Sequence, residues 1–381
     1  MSHPATTAVI LAAGKSGRMG RLKPLLPLGK RSVLERVVNL FQAAGISDIR
    51  VVIGHREEEI RQRLPTLDVT WLYNEHYHQG MFSSIKTGLR NLQPDRADFF
   101  MLPADIPLVR PGTVAAMLEE RHSLGSDISI LYPSFLEKRG HPPLISARLV
   151  PEILAWKGDG GLNMLLESYE AEARDVPVID EFILKDMDTQ SDYEHLTAAR
   201  EKYDIPTPSE CRAILEYPAL VSSATAAHCL AVSRLAVFLG SRIAGRNSGI
   251  DLSRIAAGAM VHDVAKGRPD HAHEGAALLS ELGFSGIADI VADHMDIDFP
   301  EETPLGDREI VYLADKLVKG DKLVPLSARF DDKLARYGEN PDAKAAILRR
   351  KNNALKIVRC FERASGTPLQ THLDDFARST P

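Results

Sequence analysis

The chain of 381 residues has few cysteines, three in all, and few aromatic residues, which make up 6%. Because Cys211, Cys229 and Cys360 are odd in number, widely spaced and free of a C-x-x-C motif, we expect reduced thiols, not disulfides or a zinc knuckle. No signal sequence precedes the first apolar segment, and no apolar run approaches the roughly 20 residues that span a bilayer. A net charge of −6 argues against a protein that coats nucleic acid. We therefore predict a cytoplasmic protein with neither nucleic-acid nor membrane partners.

The length and an apolar share of 44% predict two domains with cores of their own. A polar segment at 201–210, which contains Pro206 and Pro208, is the predicted linker. Before it, strand-like and helical patterns alternate, which predicts an α/β domain at 1–200 with a mostly parallel sheet. After it, every periodic segment is helical, which predicts an all-α bundle at 211–381.

The stretch 8–23, AVILAAGKSGRMGRLK, has the pattern of a buried strand that runs into a phosphate-holding loop. Gly14, Gly17 and Gly20 allow main-chain N–H groups to approach phosphate oxygens, and Arg18 and Lys23 add positive charge. The glycine spacing matches neither the phosphate loop that ends in Gly-Lys-Ser/Thr nor the dinucleotide fingerprint. An ordinary strand-to-helix turn is the alternative, and the two basic residues argue against it.

Polar residues follow other predicted strands of this domain. In LPADIP, Asp105 comes directly after an apolar strand, where a carboxylate can hold Mg²⁺ against nucleotide phosphates, although a lone Asp is more often a turn former. Asn74 follows another strand, and Gly80 and Ser84 stand near a helix start, where serine is first of all a helix cap. Ligands of parallel sheets bind at the carboxyl ends of the strands, which is where Asp105 and Gly14 are expected.

The motif LAAG-x-S-x-RMG-x-x-K, followed by PLLPLGKRSVLE, resembles the molybdenum-cofactor nucleotidyltransferases, whose domain is Rossmann-like. Within them it is more similar to the molybdopterin cytidylyltransferases than to the guanylyltransferases, which usually have glycine at the position of Ala13. The resemblance implies transfer of CMP from CTP to molybdopterin with Mg²⁺ and release of pyrophosphate. It assigns catalysis to Arg18, Lys23 and Asp105, and a metal to Asp105 and Asp188 in DMDTQSDY. It also implies a substrate site formed by Leu11, Ala12, Ala13, Gly14, Lys23, Asn74, Gly80, Ser84 and His141, the last facing the pterin-bearing acceptor.

Histidines and carboxylates cluster in the helical half, and they are the ligands that divalent transition metals prefer. Each histidine alone would more often be an ordinary surface or core residue. Neighbouring His262 and Asp263 point about 100° apart on a helix, so both reach one ion only if the helix end faces it. Lys266 lies close to the same face and is a candidate for binding a substrate phosphate. The full candidate set is His228, His262, Asp263, His273, His294 and Asp315.

The order H…HD…H…H…D over residues 211–330 resembles the HD-domain phosphohydrolases, including their two-metal members. That resemblance implies one or two divalent ions such as Mn²⁺, Fe²⁺ or Mg²⁺, with catalytic roles for Asp263 and Lys266. We expect a bifunctional enzyme whose substrates are CTP and molybdopterin. The expected protein partner is a molybdoenzyme or its maturation chaperone. One alternative is another phosphate acceptor, or GTP as the nucleotide. Another is an HD half that binds nucleotides as a regulatory module without turnover.

Overall fold

The computed structural model describes residues 6–15, 19–92, 98–125, 127–158, 160–217, 221–245, 249–300 and 303–379. The chain divides into two compact units, Met1–Lys202 and Tyr203–Pro381. The first is an α/β unit and the second is helical, as predicted. Residues 208–210 of the predicted linker belong to a helix instead, because the side chain of Thr207 accepts from Glu210 N and caps a helix that begins at Pro208.

The strands of the first unit are β1 Thr7–Ala12, β2 Pro27–Leu28, β3 Arg31–Ser32, β4 Asp48–Ile53, β5 Thr70–Tyr73, β6 Asp98–Pro103, β7 Ile130–Phe135, β8 Lys138–Arg139, β9 Leu144–Ser146 and β10 Ala173–Pro177. Its α-helices are α1 Val33–Ala43, α2 Glu57–Arg63, α3 Met81–Leu89, α4 Pro111–Ser123, α5 Val150–Ala155, α6 Gly161–Glu167 and α7 Gln190–Glu201. The alternation of strands and helices predicted for this unit is present.

The main sheet has the order β10-β7-β9-β6-β1-β4-β5, and β8 pairs with β7. β1 lies in the middle, parallel to both β4 and β6, and all six of its residues are buried. Burial on both faces requires a continuous apolar strand, which explains the run that begins at Ala8. The segment 130–177 contains strands that the sequence analysis did not predict, among them β9, which is antiparallel to β6 and β7.

The second unit contains α8 Pro208–Glu216, α9 Ser223–Ile243, α10 Leu252–Val261, α11 His271–Glu281, α12 Ala288–Asp293, α13 Asp307–Lys316, α14 Leu326–Tyr337, α15 Pro341–Ser365 and α16 Leu369–Ser379. A short hairpin of β11 Val318–Lys319 and β12 Lys322–Leu323 follows α13. Glycine permits close helix packing here, because a Cβ at Gly258 would lie 2.7 Å from Ile290 Cγ2. α10 therefore approaches α12 closely, which brings the ends of both helices together.

Among the described residues, α9 is long enough and apolar enough to cross a membrane by length and composition. The sequence analysis expected no such segment. Half of its apolar window is buried inside the protein, and the helix carries His228, whose side chain is buried among polar groups. A core helix accounts for these features.

Candidate active site and metal centre

A cavity of about 340 Å³ lies at the carboxyl ends of β1 and β6. Leu11 pairs with Pro103 across these parallel strands, so the loops that follow them begin at the same level. Eight of the predicted residues line the cavity: Leu11, Ala12, Ala13, Gly14, Lys23, Gly80, Ser84 and Asp105. The sequence analysis missed Lys15, Pro24 and Tyr77, which also line it. Arg18 lies outside the described residues, as do Ser16 and Gly17 of the same loop.

Lys23 connects two carboxylates at this cavity. Its Nζ donates to Asp105 Oδ2 at 3.1 Å and to Asp188 Oδ1 at 2.9 Å. Burial alone would lower the pKa of Lys23, but the hydrogen bonds and attraction from Asp188 and Asp105 outweigh it and raise that pKa. The side chain of Lys23 is 14% exposed, so the ammonium is held at the edge of the cavity as a permanent positive charge.

The two carboxylates fit a magnesium ion, because Mg²⁺ is commonly held by one or two carboxylates together with substrate phosphates. Both oxygens lie within hydrogen-bond distance of one cationic nitrogen, so they already converge on a single cation. The side chains of Asp105 and Asp188 are 29% and 38% exposed, which leaves them open to a phosphate ligand.

Asn74 supports the cavity without being among the residues that line it. It is 2% exposed, and its Nδ2 donates to Ser83 Oγ at 2.9 Å and Ser84 Oγ at 3.0 Å. Tyr77, in the same loop, packs against Gly54, where a Cβ would lie 2.6 Å from the tyrosine Cβ. Asn74 is therefore a positioning residue that ties the end of β5 to the start of α3.

His141 lies in a second cavity of about 490 Å³, which shares Leu11, Met81 and Pro103 with the first. Burial lowers the pKa of His141, and Nδ1 has no hydrogen-bond partner among the described residues. Its imidazole is thus neutral at pH 7 and retains a free polar atom. The same cavity is lined by Tyr132, over whose ring the Arg139 guanidinium lies at 4.5 Å.

In the helical unit, five predicted residues converge although they come from separate helices. His228 is on α9, His262 and Asp263 follow α10, His294 follows α12, and Asp315 is on α13; each is at most 5% exposed. Their ligand atoms form two overlapping groups, each within 4.8 Å: His228, His262 and Asp315, and His262, Asp263 and His294. α10 ends at Val261, so the helix end faces the cluster, which is the condition under which neighbouring His262 and Asp263 can share an ion.

The histidines are oriented as metal ligands by backbone carbonyls. Nδ1 of His228 lies 2.8 Å from Gly320 O, Nδ1 of His262 lies 2.8 Å from Ala259 O, and Nδ1 of His294 lies 2.6 Å from Val291 O. A carbonyl only accepts, so Nδ1 carries the proton and Nε2 presents a lone pair. Nε2 of His262 and Nε2 of His294 are buried without a hydrogen-bond partner among the described residues, an arrangement that a metal ion would satisfy.

The charge states suit a divalent cation. Complete burial lowers the pKa of His262 to about 4, which keeps the ring neutral at pH 7. Burial would raise the pKa of Asp263, but the hydrogen bond from Lys266 and the charge of Lys266 hold that pKa well below its usual value. Burial would also raise the pKa of Asp315, but the charge of Lys316 holds that pKa well below its usual value, so Asp315 stays ionised.

The structure does not bring His273, a predicted ligand, to this cluster. Its side chain is 71% exposed and pairs with Asp270, with Nδ1 2.9 Å from Oδ1. His271 occupies the expected place instead, with Nε2 3.4 Å from Asp263 Oδ1 and its ring 5.2 Å from that of His294. Helical periodicity could have identified His271, because Gly275 and Leu279, four and eight residues later, are buried.

Lys266 lies beside the same cluster, as predicted. Its Nζ donates a hydrogen bond to Asp263 Oδ2, and half of its side chain is exposed. A half-exposed ammonium next to a buried carboxylate remains within reach of a ligand from solvent.

Comparisons with known proteins also divide the chain into two parts, which match two different domain families. Residues 8–174 match the model of the MobA-like NTP transferase domain, and residues 225–320 match that of the HD domain. The "Bifunctional protein GlmU" of Gloeobacter violaceus is 29% identical over 136 residues, which cover 35% of this chain and 30% of that protein. GlmU of Legionella pneumophila is 35% identical over 130 residues, covering 32% of this chain and 27% of that protein. The chain thus spans about 30% of the length of the curated relatives it matches.

Solved structures also resemble the chain over about half of its length. Rv0371c from Mycobacterium tuberculosis H37Rv is 26% identical, with a TM-score of 0.45, and covers 52% of this chain and 100% of its own. A nucleotidyl transferase from Methanothermobacter thermautotroptrophicus is 25% identical, with a TM-score of 0.45, and covers 51% of this chain and 97% of its own. On the family matches, the chain joins a MobA-like NTP transferase domain at 8–174 to an HD domain at 225–320.

Proposed function

We propose that the first unit transfers CMP from CTP to molybdopterin and that the second unit is a metal-dependent phosphohydrolase. The observation that carries the first half is Lys23 between Asp105 and Asp188 at the cavity beyond β1 and β6. The second half rests on the convergent Nε2 atoms of His228, His262 and His294 around Asp263 and Asp315.

In the transfer step, a phosphate oxygen of the acceptor forms a bond to the α-phosphorus of CTP. The bond from that phosphorus to the bridging oxygen breaks, and pyrophosphate leaves with the electron pair. Mg²⁺ held by Asp105 and Asp188 would neutralise charge on the triphosphate. Lys23 then binds the phosphate oxygens as charge moves toward pyrophosphate, which is the kind of electrostatic stabilisation that dominates phosphoryl transfer.

The second cavity is the proposed acceptor site, because it adjoins the first and contains both apolar and polar groups. His141, neutral through burial, offers an imidazole to a polar edge of the acceptor. Tyr132 and Arg139 also line this cavity and give it one aromatic and one cationic side chain.

In the helical unit, a divalent ion would supply Lewis acidity and lower the pKa of water. His228, His262 and His294 would bind one or two such ions as neutral ligands, with Asp315 in the group of His228 and His262 and Asp263 in the group of His262 and His294. Lys266 would hold a phosphate oxygen of the substrate, since its ammonium is exposed beside Asp263.

The test is release of pyrophosphate by the full chain with Mg²⁺, CTP and either molybdopterin or a sugar phosphate. We expect turnover with molybdopterin, and a loss of about a hundredfold or more in Lys23→Met, on the scale of losing one key electrostatic contact. Lys30→Met, at an exposed lysine of the same unit, is the matched control and should keep the wild-type rate. Turnover with the sugar phosphate alone would contradict the acceptor assignment.

A further inference from the structure

Four basic side chains lie close together beside the histidine cluster. Lys316 is on α13, Arg329 and Lys333 are on α14, and Arg350 is on α15. Lys333 lies within electrostatic range of the other three and of Asp315. We call these four residues the cationic cluster.

The carboxylates near the cationic cluster are already engaged. Asp315 Oδ2 accepts from Lys316 Nζ at 2.6 Å, and its Oδ1 lies 3.1 Å from His228 Nε2 and 3.5 Å from Arg329 Nη2. Asp296 Oδ2 pairs with Arg350 Nη2 at 3.2 Å and also with Arg349. Asp315 therefore offsets only part of the positive charge around Lys333.

Lys333 has no ion-pair partner of its own among the described residues, although it is only partly exposed. Burial, and then repulsion from Lys316 and Arg329, lower the pKa of Lys333 to about 8. Its surroundings thus disfavour the charge. A lysine that packs its stem on apolar surface with its ammonium in bulk water would not experience such repulsion.

The arginines also have unused donors. Nε of Arg329 and Nε of Arg350 are buried and without a hydrogen-bond partner among the described residues. Leaving a buried charged donor unpaired is costly, and an anion that accepts from it removes that cost. Arg329 and Lys333 are four residues apart on α14, so their side chains lie side by side at a spacing that one phosphoryl group can bridge.

We propose that Arg329 and Lys333 bind a second phosphoryl group of the substrate of the HD domain, which is therefore a compound with two or more linked phosphates. This inference rests on the proposed hydrolase function and specifies its substrate class. Arg329 contacts Asp315, so a phosphoryl group bound by Arg329 and Lys333 lies next to the one at the histidine cluster. A simple monoester has no group to place there and gains nothing from these cations.

The experiment measures binding of inorganic pyrophosphate and of orthophosphate to the Mn²⁺-loaded full chain by calorimetry. It uses the Lys23→Met background, so that binding at the transferase cavity is suppressed. We expect pyrophosphate to bind more tightly than orthophosphate, and Lys333→Met to weaken pyrophosphate binding by about tenfold or more, as for a lost charge-assisted contact. Lys333→Arg should stay within about threefold, because it keeps the charge.

Arg336→Met is the matched control on the same helix, since Arg336 is exposed, and it should leave pyrophosphate binding unchanged. The inference would be overturned if Lys333→Met bound pyrophosphate as tightly as the parent Lys23→Met protein. It would also be overturned if the parent protein bound pyrophosphate and orthophosphate with equal affinity. A protein that binds pyrophosphate through Lys333 but hydrolyses no phosphate compound would contradict the hydrolase function instead.

The kinetic counterpart compares a nucleoside diphosphate with p-nitrophenyl phosphate in the wild type and in Lys333→Met. We expect the KM for the diphosphate to rise about tenfold, with a much smaller change in kcat, as for a contact that is equally strong before and during reaction. The KM for p-nitrophenyl phosphate should change less than threefold. Equal changes for both substrates would contradict a site for a second phosphoryl group.

Discussion

His228 Nε2 lies 3.1 Å from Asp315 Oδ1, although 87 positions separate the two residues and they belong to different helices. His262 completes this group from a third helix end. These three side chains bring α9, the end of α10 and α13 together through polar groups that an ion would bridge. Metal binding in the helical unit should therefore also stabilise its fold.

The first prediction compares the contributions of His271 and His273 to metal binding. His271→Ala should weaken Mn²⁺ binding by about tenfold, because the His271 ring faces Asp263 and His294. His273→Ala should bind Mn²⁺ like the wild type, because His273 is exposed and pairs with Asp270. Mn²⁺ titration of the metal-stripped full chain measures both. The reverse ranking would restore His273 as the ligand.

The second prediction concerns nucleotide choice. Ala13 is buried and lines the transferase cavity, so its methyl group narrows the space for a base. A methyl contact is worth roughly 1–3 kcal/mol, so we expect CTP to be preferred over GTP by about tenfold or more in kcat/KM. Ala13→Gly should reduce that ratio. Equal kcat/KM for the two nucleotides in the wild type would refute the role of Ala13.

The third prediction is a pH dependence of stability in the metal-free protein. The pKa of His262 falls to about 4 in the fold, whereas an unfolded histidine has a pKa of about 6.5. Between about pH 4 and about pH 6.5, His262 is protonated in the unfolded chain but neutral in the folded chain. The unfolded chain therefore binds more protons, and the helical unit loses stability as the pH falls. From pH 7 to pH 5 the loss is about 2 kcal/mol.

Calorimetric unfolding of the full chain without metal measures this effect. Asp263 and Asp315 do not reverse the sign, because their depressed pKa values place their own contribution below about pH 4. His262→Gln should reduce the pH dependence of the helical transition. A helical unit that becomes more stable from pH 7 to pH 5 would contradict the neutral state of His262.

Local patterns predicted much of the first unit. The apolar run of β1 and the three-to-four spacing in α1 depend on neighbouring residues only, and a capping box of Ser32 and Glu35 fixes where α1 begins. Parallel strands also place Gly14 and Asp105 at one edge. The antiparallel β9 was missed because its three residues lie among prolines and glycines that indicate turns.

Contacts between distant residues were predicted only where a motif order implied them. The hydrogen bond from Lys23 to Asp188 joins residues that are 165 positions apart in the sequence. No local sequence pattern predicts a contact between residues so far apart. In the helical unit the segment HAH contains two histidines, and the order of histidines led to the prediction of His273 alone. The structure pairs His273 with Asp270 and places His271 beside Asp263.

Each unit is proposed to carry its own metal-dependent phosphate chemistry. The most direct test measures, in one assay of the full chain, pyrophosphate release from CTP with molybdopterin and phosphate release from a nucleoside diphosphate, with Mg²⁺ and Mn²⁺ present. The variants are Asp105→Asn and Asp263→Asn, with Asp68→Asn and Asp298→Asn as controls at exposed aspartates of the two units. We predict that Asp105→Asn loses the first reaction and keeps the second, that Asp263→Asn does the opposite, and that both controls keep both. Wild-type rates of both reactions in Asp105→Asn and Asp263→Asn would contradict the account.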